Sequence, residues 1–142
     1  MKVFDLMSDH TVTVGMAEPV TAAARLLKQY NIGSVPVCDD KGKLKGIITD
    51  RDIAIRCVAQ GISADNTTVG DIMTRGVVTI SENAHIGEAA RLMADAQIRR
   101  LPVCRDGVLV GMLSLGDLAR NTDCDTEAAE ALCEISKNIR RT

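Results

Sequence analysis

Apolar side chains recur at helical spacing in two stretches of the chain. Both stretches follow the pattern i, i+3, i+4, i+7: Val20, Ala23, Ala24 and Leu27, and later Ile86, Ala89, Ala90 and Met93. This spacing lays one apolar stripe along a helix. After each helix comes an apolar run (SVPVC or RLPVC), a polar turn (DDKG or RDG) and a second run (KLKGIIT or VLVGMLS). The pattern predicts a helix followed by a β-hairpin, twice.

Residues typical of turns and helix ends flank these elements. Gly42 and Gly107 supply the positive φ that a tight hairpin turn needs. Pro19 suits the first turn of the earlier helix, and Asn83 is a plausible N-cap for the later one. These positions predict where each helix begins and each hairpin turns.

The second strand of each hairpin runs into a further helix, which we expect over residues 50–60 in the first copy and from Leu115 to about Arg120 in the second. Each copy then consists of a short strand, a helix, a hairpin and a helix. A unit this small cannot cover its sheet alone, so we expect the two copies to pack against each other through their sheets. The predicted fold class is mixed, α/β or α+β.

The chain is an internal repeat. Four pairs of segments match in the same order: DLMS with DIMT, TV with TI, AARLL with AARLM, and NIGSVPVC with QIRRLPVC. Ordered matches at a fixed period indicate a tandem duplication of units of roughly 60 residues. We predict a first repeat over residues 1–62, a second over 63–121 and a helical tail over 122–142.

Composition excludes several classes of function. The 142 residues are 46% apolar and 25% charged, and the net charge of -2 gives no general electrostatic case for nucleic acid or anionic membrane. No apolar run reaches the ~20 residues of a membrane span, and the N-terminus lacks the apolar segment of a signal peptide. The five cysteines are odd in number and form no C-x-x-C pair, so a disulfide framework or zinc site is poorly supported. A reducing cytoplasm fits best.

A hydroxyl and a carboxylate three residues apart follow each hairpin: Thr49 with Asp52, and Ser114 with Asp117. Both pairs fit a capping box, in which the hydroxyl and the carboxylate bond backbone N–H groups at a helix start. Two details count against a purely structural cap. The third residue is usually Glu or Gln, and Asp is one methylene shorter. A Gly-apolar-apolar frame also precedes both pairs.

The same geometry suits a nucleotide. The start of a helix offers unpaired N–H groups to a phosphate, and the hydroxyl can bond that phosphate too. The carboxylate one turn later can accept both hydroxyls of a ribose. The residues alone leave both interpretations open.

The doubled pattern, with DIMT, IRRLPVC and GMLSLGDLA in place, strongly resembles a CBS domain pair, or Bateman module. The resemblance covers about residues 1–121, and stand-alone bacterial proteins of this kind are the most similar. It implies two βαββα-type units about a pseudo-twofold axis, with two clefts between them. It also implies a cytoplasmic regulatory module, often a homodimer, that binds AMP, ADP, ATP or S-adenosylmethionine and signals to an effector by conformational change.

The resemblance assigns roles to residues at the motif. Asp52 and Asp117 would hold the ribose, with Thr49 and Ser114 facing the phosphate. The other implied ligand residues are, for the Asp52 cleft, Arg99, Arg100 and the neighbouring Arg51; for the Asp117 cleft, Asn31, Gly33 and Ser34; and for the base, Val14, Val35, Pro36, Ile80, Leu101 and Pro102. Because two guanidinium groups suit a polyphosphate, we expect the Asp52 cleft to be tighter for charged nucleotides.

Simpler interpretations remain for several of these residues. Arg99 and Arg100 could be a solvated corner, and nucleic-acid binding there is a weaker alternative. Cys38 and Cys104 are expected to be buried small hydrophobes rather than a redox pair. His10 and His85 do not correspond under the repeat, so we expect surface loop positions and no metal site.

No set of nucleophile, base and orienting group is visible, so we expect no enzyme activity and no catalytic cofactor. The alternative to a nucleotide-binding module is a scaffold for protein interaction or dimerisation that binds no ligand.

The tail departs from the repeat and predicts one more helix. Its expected residues are a cap at Asp123 or Asp125, an apolar stripe of Ala128, Leu132, Ile135 and Ile139, and basic Lys137, Arg140 and Arg141 near its end. The stripe could pack on its own module or on a second subunit.

Overall fold

The computed structural model describes residues 1–120, 130–131 and 134–135. Helices and short strands alternate along the described chain. The helices are α1 (Val3–Leu6), α2 (Val20–Tyr30), α3 (Asp50–Ile53), α4 (Val69–Ile72), α5 (Ile86–Ala96) and α6 (Leu115–Ala119). The strands are β1 (Ser34–Cys38), β2 (Leu44–Thr49), β3 (Ile80–Ser81), β4 (Arg100–Arg105) and β5 (Val108–Ser114). The fold is mixed α and β, which confirms the predicted class.

The chain forms two compact units. The first unit is Val12–Val77, and the second combines Met1–Thr11 with the described residues from Val78 onward. Each unit therefore takes its short leading helix from the other repeat, α4 in the first unit and α1 in the second. The sequence boundaries 1–62, 63–121 and 122–142 stay a prediction, because compactness in space does not define where a repeat begins.

The first unit is built on the antiparallel hairpin β1–β2. Its turn contains Gly42 at φ 80°, as predicted from the turn residues. The short strand expected before α2 is reduced to a single parallel bridge between Val14 and Val37. The buried core side chains of this unit are Val14, Val20, Ala23, Leu27, Val35, Val37, Ile48, Cys57, Val69, Ile72 and Met73.

The second unit repeats the hairpin as β4–β5 and adds the short strand β3, parallel to β4. Its turn contains Gly107 at φ 81°. Its buried core side chains are Val3, Ile80, Ile86, Ala89, Ala90, Met93, Leu101, Val103, Leu113, Leu118 and Ala131. The stripe predicted for α5 is buried in full, and in α2 every stripe residue except the half-buried Ala24 is buried.

The helix starts differ in part from prediction. Pro19 is the N-cap of α2, within one residue of the expected position. The prediction that Asn83 caps α5 is wrong: the N-cap is His85, whose Nδ1 accepts a hydrogen bond from Gly87 N at 3.0 Å. Asn83 instead belongs to the turn after β3, where its N–H donates to Ser81 Oγ. A neutral imidazole nitrogen thus supplies the acceptor that Ser, Thr, Asp or Asn usually provides.

The helix after β2 is α-helical only at its start. Residues Ala54–Val58 form a π-helix, with Ala59 N bonded to Ala54 O at 2.9 Å. The prediction of a regular helix over 50–60 is therefore wrong in type, whereas α6 matches the expected span. No helix in the described residues is long and apolar enough to cross a membrane.

The described part of the tail is helical and packs within the second unit. Ala131 and Ile135 are buried, and Gln97 Nε2 donates to Glu134 O at 3.3 Å. These contacts agree with packing of the tail on its own module. The other predicted tail residues lie outside the described residues: Asp123, Asp125, Ala128, Leu132, Lys137, Ile139, Arg140 and Arg141.

Candidate functional site

Both hydroxyl–carboxylate pairs form capping boxes. Asp52 N donates to Thr49 Oγ1 at 3.0 Å, and Thr49 N donates back to Asp52 Oδ2 at 3.0 Å. In the second unit, Asp117 N donates to Ser114 Oγ at 3.0 Å, and Ser114 N to Asp117 Oδ2 at 2.8 Å. The shorter Asp side chain therefore does not count against a structural cap, since both carboxylates reach normal hydrogen-bond distance.

The glycine before Thr49 has a structural reason. A Cβ added at Gly46 would lie 2.6 Å from Thr74 O and 2.9 Å from Met73 Sδ. Thr74 pairs with Ile47 through two backbone hydrogen bonds, of 2.9 and 2.8 Å, at the edge of β2. Gly46 therefore lets the DIMT segment approach the strand closely.

The second unit repeats this close approach. A Cβ added at Gly111 would lie 2.7 Å from Ser8 O and 2.8 Å from Met7 Sδ. Ser8 pairs with Met112 through backbone hydrogen bonds of 2.8 and 2.9 Å. The Gly-apolar-apolar frame and the DLMS and DIMT segments are thus explained together by packing. The frame no longer counts against a structural cap.

The Asp52 carboxylate has further partners in its own unit. Thr74 Oγ1 donates to Asp52 Oδ1 at 3.0 Å and to Oδ2 at 3.2 Å. Arg56 Nη1 lies 3.8 Å from Asp52 Oδ1 and donates to Ile72 O and Met73 O at 3.0 and 3.1 Å. The Asp52 side chain is only 9% exposed.

Thr74 and Arg56 are partners of the Asp52 carboxylate that sequence reasoning missed. Thr74 ends the repeated DIMT segment, which was a signal of close packing but gave no partner for its hydroxyl. Arg56 stands four residues after Asp52, a spacing at which helical side chains of opposite charge can meet. Neither signal alone would have placed both residues on one carboxylate.

The Asp117 carboxylate has fewer partners and is more exposed. Apart from Ser114 N, it contacts the guanidinium of Arg120 as an ion pair. The Asp117 side chain is 17% exposed and that of Arg120 is 73% exposed. In the part of the chain that the structure describes, the Ser8 hydroxyl, which corresponds to that of Thr74, donates no hydrogen bond to Asp117.

The segment before β1 lies beside the first motif in the same unit. Ser34 is opposite Thr49 in the hairpin, and Asp50 N donates to Gly33 O at 3.1 Å. The Ser34 hydroxyl oxygen is inaccessible to solvent and has no hydrogen-bond partner among the described residues. A buried hydroxyl without a partner is uncommon and is a candidate for a bond to a ligand.

The segment before β4 is placed in the same way beside the second motif. Arg100 is opposite Ser114, and Leu115 N donates to Arg99 O at 2.8 Å. The side chains of Arg99 and Arg100 are exposed. The assignment of these arginines to the Asp52 cleft, and of Asn31, Gly33 and Ser34 to the Asp117 cleft, stays a prediction.

Two other predicted ligand residues are exposed near the first motif. Arg51 is exposed at the start of α3, where its N–H donates to Asp50 Oδ1 at 2.8 Å. Asn31 is the C-cap of α2 in the left-handed conformation, at φ 51°. Asn tolerates this conformation better than most residues, so Asn31 has a structural role whether or not it contacts a ligand.

The six residues predicted to line the base are all buried. They are Val14, Val35, Pro36, Ile80, Leu101 and Pro102. Val35 and Leu101 have no exposed surface and belong to the cores of their units. Core packing therefore accounts for Val14, Val35, Ile80 and Leu101, and contact of the six residues with a base stays a prediction.

The remaining candidates for chemistry are the thiol of Cys104 and the possible metal ligands. Burial raises the pKa of the half-buried Cys104 thiol above its usual value, which keeps it protonated and poorly nucleophilic. Cys38 and Cys104 are both half-buried, so they are less buried than predicted. No group of three or more His, Cys, Asp or Glu side chains that could hold a metal ion occurs in the described residues.

Comparison with known sequences matches the CBS domain at residues 3–58 and again at 69–122. CBS domain-containing protein YhcV of Bacillus subtilis is 42% identical over 132 residues, 93% of either chain. Hypoxic response protein 1 of Mycobacterium tuberculosis is 36% identical over 117 residues, 82% of either chain. The predicted resemblance is therefore confirmed.

Two similar solved structures were obtained with bound groups. The crystal structure of Hypoxic Response Protein I with two coordinated zinc ions has a TM-score of 0.79 and 35% identity, covering 85% of this chain and 98% of that one. The CBS domain pair of protein MJ0100 in complex with 5′-methylthioadenosine and S-adenosylmethionine has a TM-score of 0.74 and 34% identity. The match covers 84% of this chain and 94% of that one.

Proposed function

Because the chain belongs to the CBS domain family and carries the domain twice, we propose that it is a regulatory module that binds an adenosine-containing ligand. The ligand classes proposed are S-adenosylmethionine, 5′-methylthioadenosine, AMP, ADP and ATP. Binding would change the arrangement of the two repeats and so alter the affinity for an effector protein. The size of that change is limited by the difference in ligand affinity between the two arrangements.

The observation that carries this proposal is the complex of a similar CBS domain pair with two adenosine compounds. Two features of this chain support it. Each repeat holds a carboxylate at a fixed position by a capping box, and a carboxylate is a suitable acceptor for the two hydroxyls of a ribose. The buried hydroxyl of Ser34 would also gain a hydrogen-bond partner from a bound ligand.

Isothermal titration calorimetry with each of the five compounds tests the proposal. We expect saturable binding of at least one compound to the wild type and its loss in the double variant Asp52→Asn/Asp117→Asn. Thr21→Ser, a conservative change outside the motifs, is the control. An absence of binding at millimolar ligand, with protein that unfolds cooperatively, would contradict the proposal.

A second function is favoured by two observations. Both hydroxyl–carboxylate pairs are complete capping boxes, and the glycine frame is explained by packing. These facts support a scaffold that binds no ligand and acts through protein contacts. The same titration separates the two functions, because a scaffold would give no saturable heat with any of the compounds.

We further propose that the chain forms a homodimer and has no catalytic activity. Exposed apolar side chains after α3, namely Ile55, Val58 and Ile62, support an interface there. Light scattering of the purified chain measures the molar mass and so tests whether it is a dimer. If this surface forms the dimer interface, Val58→Glu should yield a monomer. A cytoplasmic location and signalling to an effector protein stay predictions.

A further inference from the structure

We infer that the two repeats use their equivalent carboxylates differently. Asp52 is a structural latch, by which we mean that its contacts hold residues 69–74 in place, and Asp117 is the carboxylate that binds the ligand's ribose. This inference rests on the proposed function and names which of the two motifs performs it. It reverses the expectation that the Asp52 cleft is the tighter one. The argument depends on the partners that each carboxylate has within its own unit.

Asp52 has little acceptor capacity left for a ligand. A carboxylate offers about four lone-pair positions. Thr49 N occupies one on Oδ2, the Thr74 hydroxyl is shared between Oδ1 and Oδ2, and Arg56 lies on the Oδ1 side. The carboxylate is also only 9% exposed, so two ribose hydroxyls would compete with Thr74 for it, and displacing Thr74 would leave the half-buried threonine hydroxyl without its partner.

The partners of Asp52 also hold a second segment in place. Thr74 and Arg56 both connect the helix that begins at Asp50 to the end of α4, since Arg56 donates to Ile72 O and Met73 O. These carbonyls belong to the last turn of a helix and have no partner within it. The contacts of Asp52 and Arg56 thus hold the end of residues 69–74 against the helix that follows the hairpin of the first unit.

Asp117 lacks the corresponding connection in the described residues. Ser8 replaces Thr74, and its hydroxyl does not bond the carboxylate, although its backbone pairs with Met112 as Thr74 pairs with Ile47. The Arg120 partner in the ion pair is 73% exposed, so its guanidinium is easily exchanged for other donors, although Asp117 itself is only 17% exposed. Ribose hydroxyls can therefore reach Asp117 without breaking a buried hydrogen bond.

The binding test uses 5′-methylthioadenosine, whose only hydroxyls are those of its ribose, and AMP as a second probe. Calorimetry compares the wild type with Asp52→Asn and Asp117→Asn. We expect Asp117→Asn to weaken binding by about tenfold or more, the loss of a charge-assisted bond, and Asp52→Asn to change it by less than about threefold. Loss of binding in Asp52→Asn with retention in Asp117→Asn would overturn the inference and leave the proposed function intact.

The stability test needs no ligand and checks the latch by itself. We expect Thr74→Val to lower the Tm by about 5 °C and Ser8→Ala, the matched change in the other unit, to leave it within about 1 °C. Equal shifts in the Tm of the two variants would contradict the structural role of Asp52. If neither probe binds the wild type, the same variants are compared with whichever of the other three compounds binds. If none of the five binds, the proposed function and the role of Asp117 both fail, whereas the Tm comparison still tests the structural role of Asp52.

Discussion

The two units share a backbone frame and differ in what surrounds the carboxylate. In both, a glycine in the second hairpin strand admits a neighbouring segment, and a capping box closes the next helix start. In the first unit the side chains of Thr74 and Arg56 converge on Asp52, whereas in the second Asp117 pairs with the exposed Arg120. The motif alone therefore does not identify a ligand site. The side chains around each carboxylate determine how many of its acceptor positions are already occupied.

The largest expected effect on stability tests the feature that the two units share, the close approach of a neighbouring segment to a strand glycine. Gly46→Ala and Gly111→Ala should each lower the free energy of unfolding by about 2–4 kcal/mol, because the new methyl group meets a backbone carbonyl at under 3 Å. Chemical denaturation measures the loss. Gly15→Ala is the control, since its Cβ would lie 3.5 Å from the nearest atom, Glu18 Oε2. Losses below about 0.5 kcal/mol at both glycines would contradict the shared frame.

The next largest effect tests how differently Arg56 and Arg120 contribute to the stability of their units. Arg56→Met should cost about 1–2 kcal/mol, because it removes two hydrogen bonds to carbonyls and the ion pair, on a side chain that is half exposed. Arg120→Met should cost less than about 0.5 kcal/mol, since an exposed ion pair contributes little. Equal costs, measured by urea denaturation, would show that Arg56 does not fasten α4.

A smaller effect concerns the helix starts. His85→Ala should destabilise the protein by about 0.5–1 kcal/mol through loss of the cap on α5, and Asn83→Ala should be nearly neutral. Thermal unfolding of both variants makes the comparison. The opposite ranking would restore Asn83 as the cap.

The smallest effect distinguishes the two hairpins by pH. Hydrogen bonds from the backbone of Lys43 and Lys41 hold the pKa of Asp39 below 3.8, with Lys45 nearby, even though burial of the carboxyl opposes this shift. A lowered pKa in the folded state means that Asp39 stabilises the fold above the unfolded value and loses that contribution as the pH falls through the folded one. The Tm difference between wild type and Asp39→Asn should be full at about pH 6 and shrink below pH 3.8. A difference that is constant with pH would exclude this contribution.

Local features of the fold were predictable because neighbouring residues determine them. The apolar stripes of α2 and α5 follow from helical periodicity, and the hairpin turns follow from Gly42 and Gly107. The π-helix after α3 was not predictable, because it spans only five residues, too few for apolar periodicity to distinguish i→i+5 from i→i+4 hydrogen bonding.

The candidate site was predictable only in its repeated part. Thr49, Asp52, Ser114 and Asp117 stand out because both copies carry them at the same spacing. The contact of Thr74 with Asp52 joins residues 22 positions apart, and no periodicity reports such a pairing. The exchange of short leading helices between the units is also a long-range property, which the order of the repeats does not reveal.

The most direct test of the account is a crystal structure of the protein with 5′-methylthioadenosine. The account predicts ribose hydroxyls within hydrogen-bond distance of the Asp117 carboxylate, with the Thr74 hydroxyl still bonded to Asp52. A ribose on Asp52 with Thr74 displaced, while Asp117 keeps only Ser114 and Arg120, would contradict it.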